Sequence, residues 1–351
     1  MPQYTQYIQV VNRDDRRRPA PATASSSQSL VQQTMTLGCE VETNLRAKSS
    51  GDDISRFGDA NDRAAVAQFA SRVCTYFDNY MESHRKAGRM RVKGDPRYGS
   101  GYSIALWTIE RDGSIRKDST RQVSMEIVSP IMVYDTTELW RDSVKSMYKS
   151  VGDRYSFEAN ESCGLHVHLK PSVCWNMKDL RALSKAIVYF EPCLQALLPS
   201  HRASRNFYCK QNYSENPYLT SQDIGRCFET INNMSGISDL KNVMNYDREN
   251  GQTRYYAWNF TNLQWDAQRQ ELNGTVEYRN PPFANSASTC LAWMELALTF
   301  ASAARKVSVR GAKIRQKFSR DLPGLKEFLE YGAVQWTHKS DYESLFPRRR
   351  R

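Results

Sequence analysis

Three short segments set glutamates inside an apolar frame: Gly38-Cys39-Glu40-Val41-Glu42, Met125-Glu126-Ile127-Val128-Ser129-Pro130 and Val276-Glu277-Tyr278-Arg279-Asn280-Pro281. Such runs read as strands, and side chains along a strand alternate between its two faces. Glu40 and Glu42 therefore share a face, as do Glu277 and Arg279. A half-exposed strand with a polar face accounts for any one of these segments. Three of them, each ending in or near a turn, ask for more. Carboxylates brought to about 4 Å repel by roughly 4 kcal/mol at an effective dielectric of about 20, so magnesium or arginine must neutralise them.

A fourth strand-like segment, Glu161 to Pro171 (ESCGLHVHLKP), carries two of the chain's five histidines, His166 and His168, on one face. Cys163 lies an odd number of residues from both and points away unless Gly164 breaks the register. Imidazoles so spaced ligate zinc, activate water, hold a phosphate or serve structure alone. Zinc hydrolysis needs a third protein ligand and a water. The other histidines, His84, His201 and His338, are poorly placed for that, so the third ligand would be a carboxylate.

Arg202 and Arg205 in PSHRASRNFYC either hold a carboxylate or phosphate by bidentate hydrogen bonds or belong to an ordinary basic loop. Asp112 precedes Gly113, a pairing that is also a strong hairpin signal, so it is either a reacting group or a turn residue. Neither a G-x-x-x-x-G-K-S/T loop nor a G-x-G-x-x-G turn occurs, so a nucleotide would be held by a sheet with metals and arginines.

Around these segments the pattern alternates between strands and amphipathic helices. Asp62 to Arg89 places Val66, Phe69, Val73, Phe77 and Met81 on one helical stripe, with Asn61 or Asp62 as N-cap and Gly88 as stop. Helices are also expected from Leu139 to Val151, from Lys178 to Leu198 with a kink at Pro192, and from Ser288 to Arg305, apolar nearly all round. Strands are expected at Ile104 to Ile109, Val123 to Val128, Leu165 to Leu169, Tyr255 to Leu263 and Thr275 to Tyr278, whereas residues 210–252 are polar with weak periodicity and receive no assignment. Strands and helices do not alternate strictly, and short turns join neighbouring strands. This favours an α+β fold built on an antiparallel sheet.

The 351 residues suffice for one large domain with tails. The net charge of +11 is concentrated at the ends: residues 305–351 carry 13 Lys and Arg against 5 Asp and Glu, residues 1–33 carry 4 against 2, and only +1 remains on 34–304. A nucleic-acid groove needs its charge on the folded body, so nucleic acid is not the expected partner, although the terminal FPRRRR suits an acidic one. Residues 1–33, rich in Arg, Pro, Ala and Ser, are expected to be a disordered tail, 34–305 the catalytic domain and 306–351 a basic extension. The eight cysteines lack paired spacing and are expected as reduced core thiols. The longest apolar run, Leu291 to Ala304, is interrupted by Glu295 and shorter than the roughly 18 residues a membrane span needs. No secretory signal pattern opens the chain, so a cytoplasmic protein is expected.

In order, LGCEVET, WTIERDGSI, VSMEIVSP, ESCGLHVHL, PSHRASRNFYC, RYYAWNFTNL and NGTVEYRNPPFANS resemble the amidoligase family, a branch of the carboxylate-amine ligases that includes glutamine synthetase and glutamate-cysteine ligase. The resemblance runs from residue 37 to about 305; the tails fall outside it, and its arginine-rich stretch is spaced differently here. It implies a curved, mainly antiparallel sheet whose concave face binds ATP and Mg2+, with helices outside, as in glutamine synthetase. It implies an enzyme that phosphorylates a small-molecule, amino-acid or peptide carboxylate and lets an amine displace the phosphate. Glu40, Glu42, Glu126 and Glu277 would be the metal ligands. Glu277, Arg279, His166 and Asp112 would be catalytic, with Asp112 helping to deprotonate the amine; Arg202, Arg205, His168 and Asn259 would bind the cofactor. The alternatives are a zinc hydrolase using the His-x-His strand and a binding scaffold on the same fold.

Overall fold

A single strand, β1 (Met35–Ala47), is the spine of a nine-stranded sheet. Its sequence buries Leu37, Cys39 and Val41 on one face and turns Thr36, Gly38 and Glu40 to the other, the period-two pattern of a strand with one face in the core. The computed structural model describes residues 35–96, 105–135, 137–203, 205–310, 313–333 and 340–347. The expected tail at 1–33, His338 and the terminal arginines lie outside the described residues.

The remaining strands of the sheet are β2 (Met90–Val92), β3 (Trp107–Arg111), β4 (Val123–Val128), β5 (Met132–Tyr134), β6 (Tyr155–Glu158), β7 (Leu165–Pro171), β8 (Trp258–Asn259) and β9 (Val276–Tyr278). They run in the order β8-β9-β7-β1-β4-β3-β2, with β5 and β6 also paired to β1. Every pairing in this sheet is antiparallel except β2 with β3. Ser129 closes β4 onto β1: its N–H donates to Cys39 O at 2.8 Å, and its Oγ accepts from Cys39 N–H at 2.8 Å.

Helices pack on the apolar face. They are α1 (Arg63–Ser83), α2 (Leu139–Arg154), α3 (Met177–Gln195), α4 (Ile224–Asn232), α5 (Ile237–Met244), α6 (Ala287–Arg310) and α7 (Leu322–Gly332). Asp62 caps α1 by accepting from Ala64 N–H at 2.8 Å, and Val66, Phe69, Val73, Phe77 and Met81 form its buried stripe. The helix stops at Ser83, short of Gly88, because Arg85 takes a left-handed conformation with φ 53°. Pro192 lies inside α3, which ends at Gln195, short of Leu198.

By length and composition α6 could cross a membrane from Ala287 to Ser308, yet 83% of that window is buried inside the protein, the position of a core helix. Its Glu295 meets Arg141 of α2 at 2.7 Å, and Arg141 also pairs with Asp341, which ties residues 340–347 to the helix layer.

Residue 305 falls inside α6, and the described chain beyond it packs on the same core: Phe328 of α7 lies 4.9 Å from Phe190 and 5.2 Å from Phe300, ring centre to ring centre. The strand expected over Tyr255 to Leu263 shrinks to Trp258–Asn259, since its first half instead bridges Lys210 at Tyr256. Residues 210–252, left unassigned, hold α4 and α5; these helices of 9 and 8 residues are too short for their periodicity to stand out in a polar stretch. The strand expected from Ile104 begins outside the described residues and is seen from Trp107. All eight cysteines are free, as expected, and seven are buried.

Candidate active site

The face of the sheet opposite the helices gathers the acidic residues of four strands. Register explains how: Glu42 lies opposite Glu126, Glu126 opposite Glu110, Glu40 opposite His166 and His168 opposite Glu277. Since directly opposed residues project to the same side of a sheet, the segments read separately from the sequence become one row.

Glu40 is the hub. Its two oxygens lie 2.9 Å from His166 Nδ1 and 2.9 Å from His168 Nε2. Glu277 Oε1 lies 3.6 Å from His166 Nδ1 and 3.9 Å from His168 Nε2, and it pairs with Arg279. Glu42 Oε1 stands 3.5 Å from His166 Nε2, while its other oxygen accepts from Gly164 N–H at 2.7 Å. Gly164 therefore serves the site through its backbone.

The charges resolve as the crowding demands. Burial raises the pKa of Glu40, but His168 and His166 outweigh it and hold the carboxyl well below the usual range. The same contest at Glu277 is won by His168 and Arg279, which lower it. Burial disfavours charge on His168, yet Glu40 and Glu277 lift it to about 9. At Glu126 the opposite side wins: burial, and then Glu40 and Glu42, push it up to about 10. It thus keeps its proton at neutral pH and shares a hydrogen bond with Glu40.

Asn259 is buried and donates to Glu277 Oε2 at 2.8 Å; Asn262 donates to the same oxygen at 3.2 Å. Asn259 therefore touches the site as a partner of Glu277. Thr275 Oγ1 sits 3.0 Å from His168 Nδ1 and orients that ring.

The two arginines expected to hold cofactor differ sharply. Arg202 is buried, and its guanidinium donates to the carbonyls of Arg279 at 3.1 Å, Asn280 at 3.3 Å and Pro281 at 2.8 Å. Those bonds fix Nε and Nη2 against the turn after β9. Arg205 is exposed in a left-handed conformation, φ 57°, and its N–H donates to Glu215 at 2.8 Å. Asp112 Oδ1 accepts from both the N–H and the hydroxyl of Ser114 at 2.7 Å, the bonds of a turn residue.

A family model described as "putative amidoligase enzyme" matches residues 33–301, the span that contains every residue of this cluster. The chain belongs to the amidoligase family. No curated protein matches this amidoligase. Among solved structures, the crystal structure of a bifunctional glutathione synthetase from Pasteurella multocida is similar at a TM-score of 0.34 and 10% identity, over 82% of this chain and 41% of that one. The amidoligase thus spans less than half the length of that protein.

Sequence reasoning passed over Glu110, Asn262, Thr275 and Gly164. Glu110 stands inside the strand WTIER with the same apolar frame as the other glutamates, and it pairs with Lys93 at 2.8 Å. That frame was signal enough to find it. Asn262, Thr275 and Gly164 act through contacts of high sequence separation, for which a single sequence carries no signal.

Proposed function

We propose that this amidoligase joins a carboxylate to an amine with consumption of ATP, through an acyl phosphate, on a glutamine-synthetase-like sheet. The observation that carries this proposal is the convergence of Glu40, Glu42, Glu126 and Glu277 with two imidazoles around one point of the sheet.

The donor set suits magnesium. Ligand atoms of Glu40, His168 and Glu277 lie within 4.8 Å of one another, as do those of Glu40, Glu126 and His166. His168 Nε2 is buried 2.9 Å from Glu40 Oε1, so these two ligand atoms stand side by side. A set with more carboxylate oxygens than imidazoles favours a hard cation, whereas zinc sites are richer in nitrogen and sulfur donors. Glu40, Glu42, Glu126, Glu277 and one imidazole would hold magnesium, which when bound neutralises phosphate charge.

The chain's own groups account for the rest. A carboxylate oxygen takes the terminal phosphoryl group of ATP and ADP leaves; the amine nitrogen then bonds to the acyl carbon, phosphate departs, and the amine loses a proton. Arg279, held in place by Glu277, supplies a fixed cation for the phosphoryl oxygens and the substrate carboxylate. Asp112, one residue beyond β3, keeps the role of receiving the amine proton in this scheme, through the carboxylate oxygen that Ser114 does not occupy.

The test is release of ADP and phosphate by purified protein with magnesium and ATP, dependent on a mixed pool of carboxylates and amines. Glu277→Gln and His166→Ala should each abolish it. Turnover that survives both substitutions removes the site; zinc retained through dialysis, with no need for ATP, would favour the hydrolase instead.

A further inference from the structure

Among the described residues, the large apolar side chains left exposed include Phe207, at 61%, and Tyr208, at 50%. Single exposed apolar residues are ordinary, but these two form a unit with Tyr255. The three ring centres are 5.3, 5.3 and 5.5 Å apart. Their backbone is fixed: Asn206 Oδ1 accepts from Tyr208 N–H at 3.0 Å, Asn206 Nδ2 donates to His201 O at 3.0 Å, and Lys210 N–H donates to Tyr255 O at 2.9 Å.

This ledge begins where the site ends. Arg279 N–H donates to Ala257 O at 2.8 Å and its Nε to Tyr208 O at 3.5 Å, while another nitrogen of the same guanidinium pairs with Glu277. The rim is cationic. Lys210 Nζ lies 5.2 Å from the Phe207 ring centre, the Arg254 guanidinium 5.4 Å from that of Tyr255, and exposed Arg205 stands two residues before Phe207. Two nearby acids offset part of that charge: Glu215 accepts from the N–H groups of Arg205 and Gln211, and Asp247 accepts from those of Glu249 and Asn250 and also interacts with the Lys210 charge.

We propose that the Phe207, Tyr208 and Tyr255 ledge docks the carboxylate substrate, and that this substrate is an acidic peptide with a bulky apolar residue next to the carboxylate. The proposal rests on the ligase function above and specifies its substrate. A free amino acid calls for an enclosed pocket that buries most of it, whereas an open, half-exposed ledge leading into the site fits an extended chain that continues past it. The cationic rim complements acidic side chains on such a chain and steers it inward.

The test titrates two N-acetylated tetrapeptides, Asp-Asp-Phe-Glu and Asp-Asp-Gly-Glu with free C-terminal carboxyls, and Mg-ADP, into the full chain and into the Phe207→Ala, Tyr208→Ala double variant. The Phe peptide should bind wild type at least about tenfold more tightly than the Gly peptide, as expected for burying one aromatic side chain. The double variant should erase that difference and leave Mg-ADP affinity unchanged, and Lys210→Glu should weaken both peptides. Equal binding of the two peptides by wild type overturns the proposal, and so does a double variant that loses Mg-ADP, which would make the ledge a surface for the nucleobase. Wild type that binds neither peptide nor Mg-ADP removes the ligase function itself; wild type that binds Mg-ADP but does not distinguish the peptides removes only the ledge.

Discussion

Glu42 and Arg202 share Gly164: the glycine N–H donates to Glu42 Oε2 at 2.7 Å, and a Cβ on that glycine would collide with Arg202 Nη2 and lie 3.2 Å from Glu42 Oε2. The arginine end is fixed by three carbonyls and cannot simply swing away. Gly164→Ala should therefore cost about 1–3 kcal/mol, the usual range for overpacking, and displace Glu42. Urea denaturation checks the first effect and a Mn2+ titration the second. Wild-type values in both would break the link.

Arg202 and Arg205 should separate cleanly. Arg202→Met leaves buried carbonyl acceptors unpaired and should lose at least about 2 kcal/mol. Arg205→Ala, on the surface, should stay within about 0.5 kcal/mol of wild type. Chemical denaturation of the two variants side by side decides it.

The metal-free protein should lose stability as pH rises from neutral. His168 is raised from its ordinary 6.5 to about 9, so its contribution is complete below 6.5 and gone above about 9. Glu126, raised from 4.5 to about 10, also binds its proton more tightly folded than unfolded, so over that interval rising pH favours the unfolded chain. Glu40 and Glu277, both lowered, act oppositely: their contribution is present above 4.5 and is lost as pH falls below it. The melting temperature should therefore drop between pH 7 and 9. A divalent cation should reverse the drop and release protons on binding, as measured by calorimetry in buffers of different ionisation enthalpy.

Glu126→Gln tests the shared proton directly. Its amide copies the neutral acid, so the metal-free variant should be at least as stable as wild type at pH 7. Its Mn2+ affinity should nonetheless fall by about tenfold or more, since a charged ligand is lost. Thermal melting with and without Mn2+ reads both; a variant that melts early without metal would show that Glu126 is ionised there.

Phe328→Ala probes the chain beyond residue 305. Phe328 is fully buried among Phe190, Phe300 and Phe318, and truncating it should cost about 3–5 kcal/mol, whereas an appended extension would tolerate the change.

Much of the site was legible because strand chemistry is local. Period two in GCEVE, MEIV, HVH and VEYR places each carboxylate and imidazole on a definite face before any partner is known. The same locality made Asp62 a recognisable cap and Phe69, Val73 and Phe77 a recognisable stripe. Pattern failed where the deciding contact was distant. Arg202 looks like a free cation until the carbonyls of residues 279–281 fold onto it, and α4 and α5 are too short to announce themselves in a polar stretch.

The sequence by itself determined which side chains face together within each segment, because that depends only on the alternation of a strand. Which segments face each other was decided by tertiary structure, through the register of β1 against β4 and β7 and of β7 against β9. That register also set the direction of each pKa: against burial, His168 pulls Glu40 and Glu277 down, while burial and the carboxylates of Glu40 and Glu42 push Glu126 up. The three glutamates are alike in local sequence, and only the neighbours supplied by the folded sheet set their protonation apart.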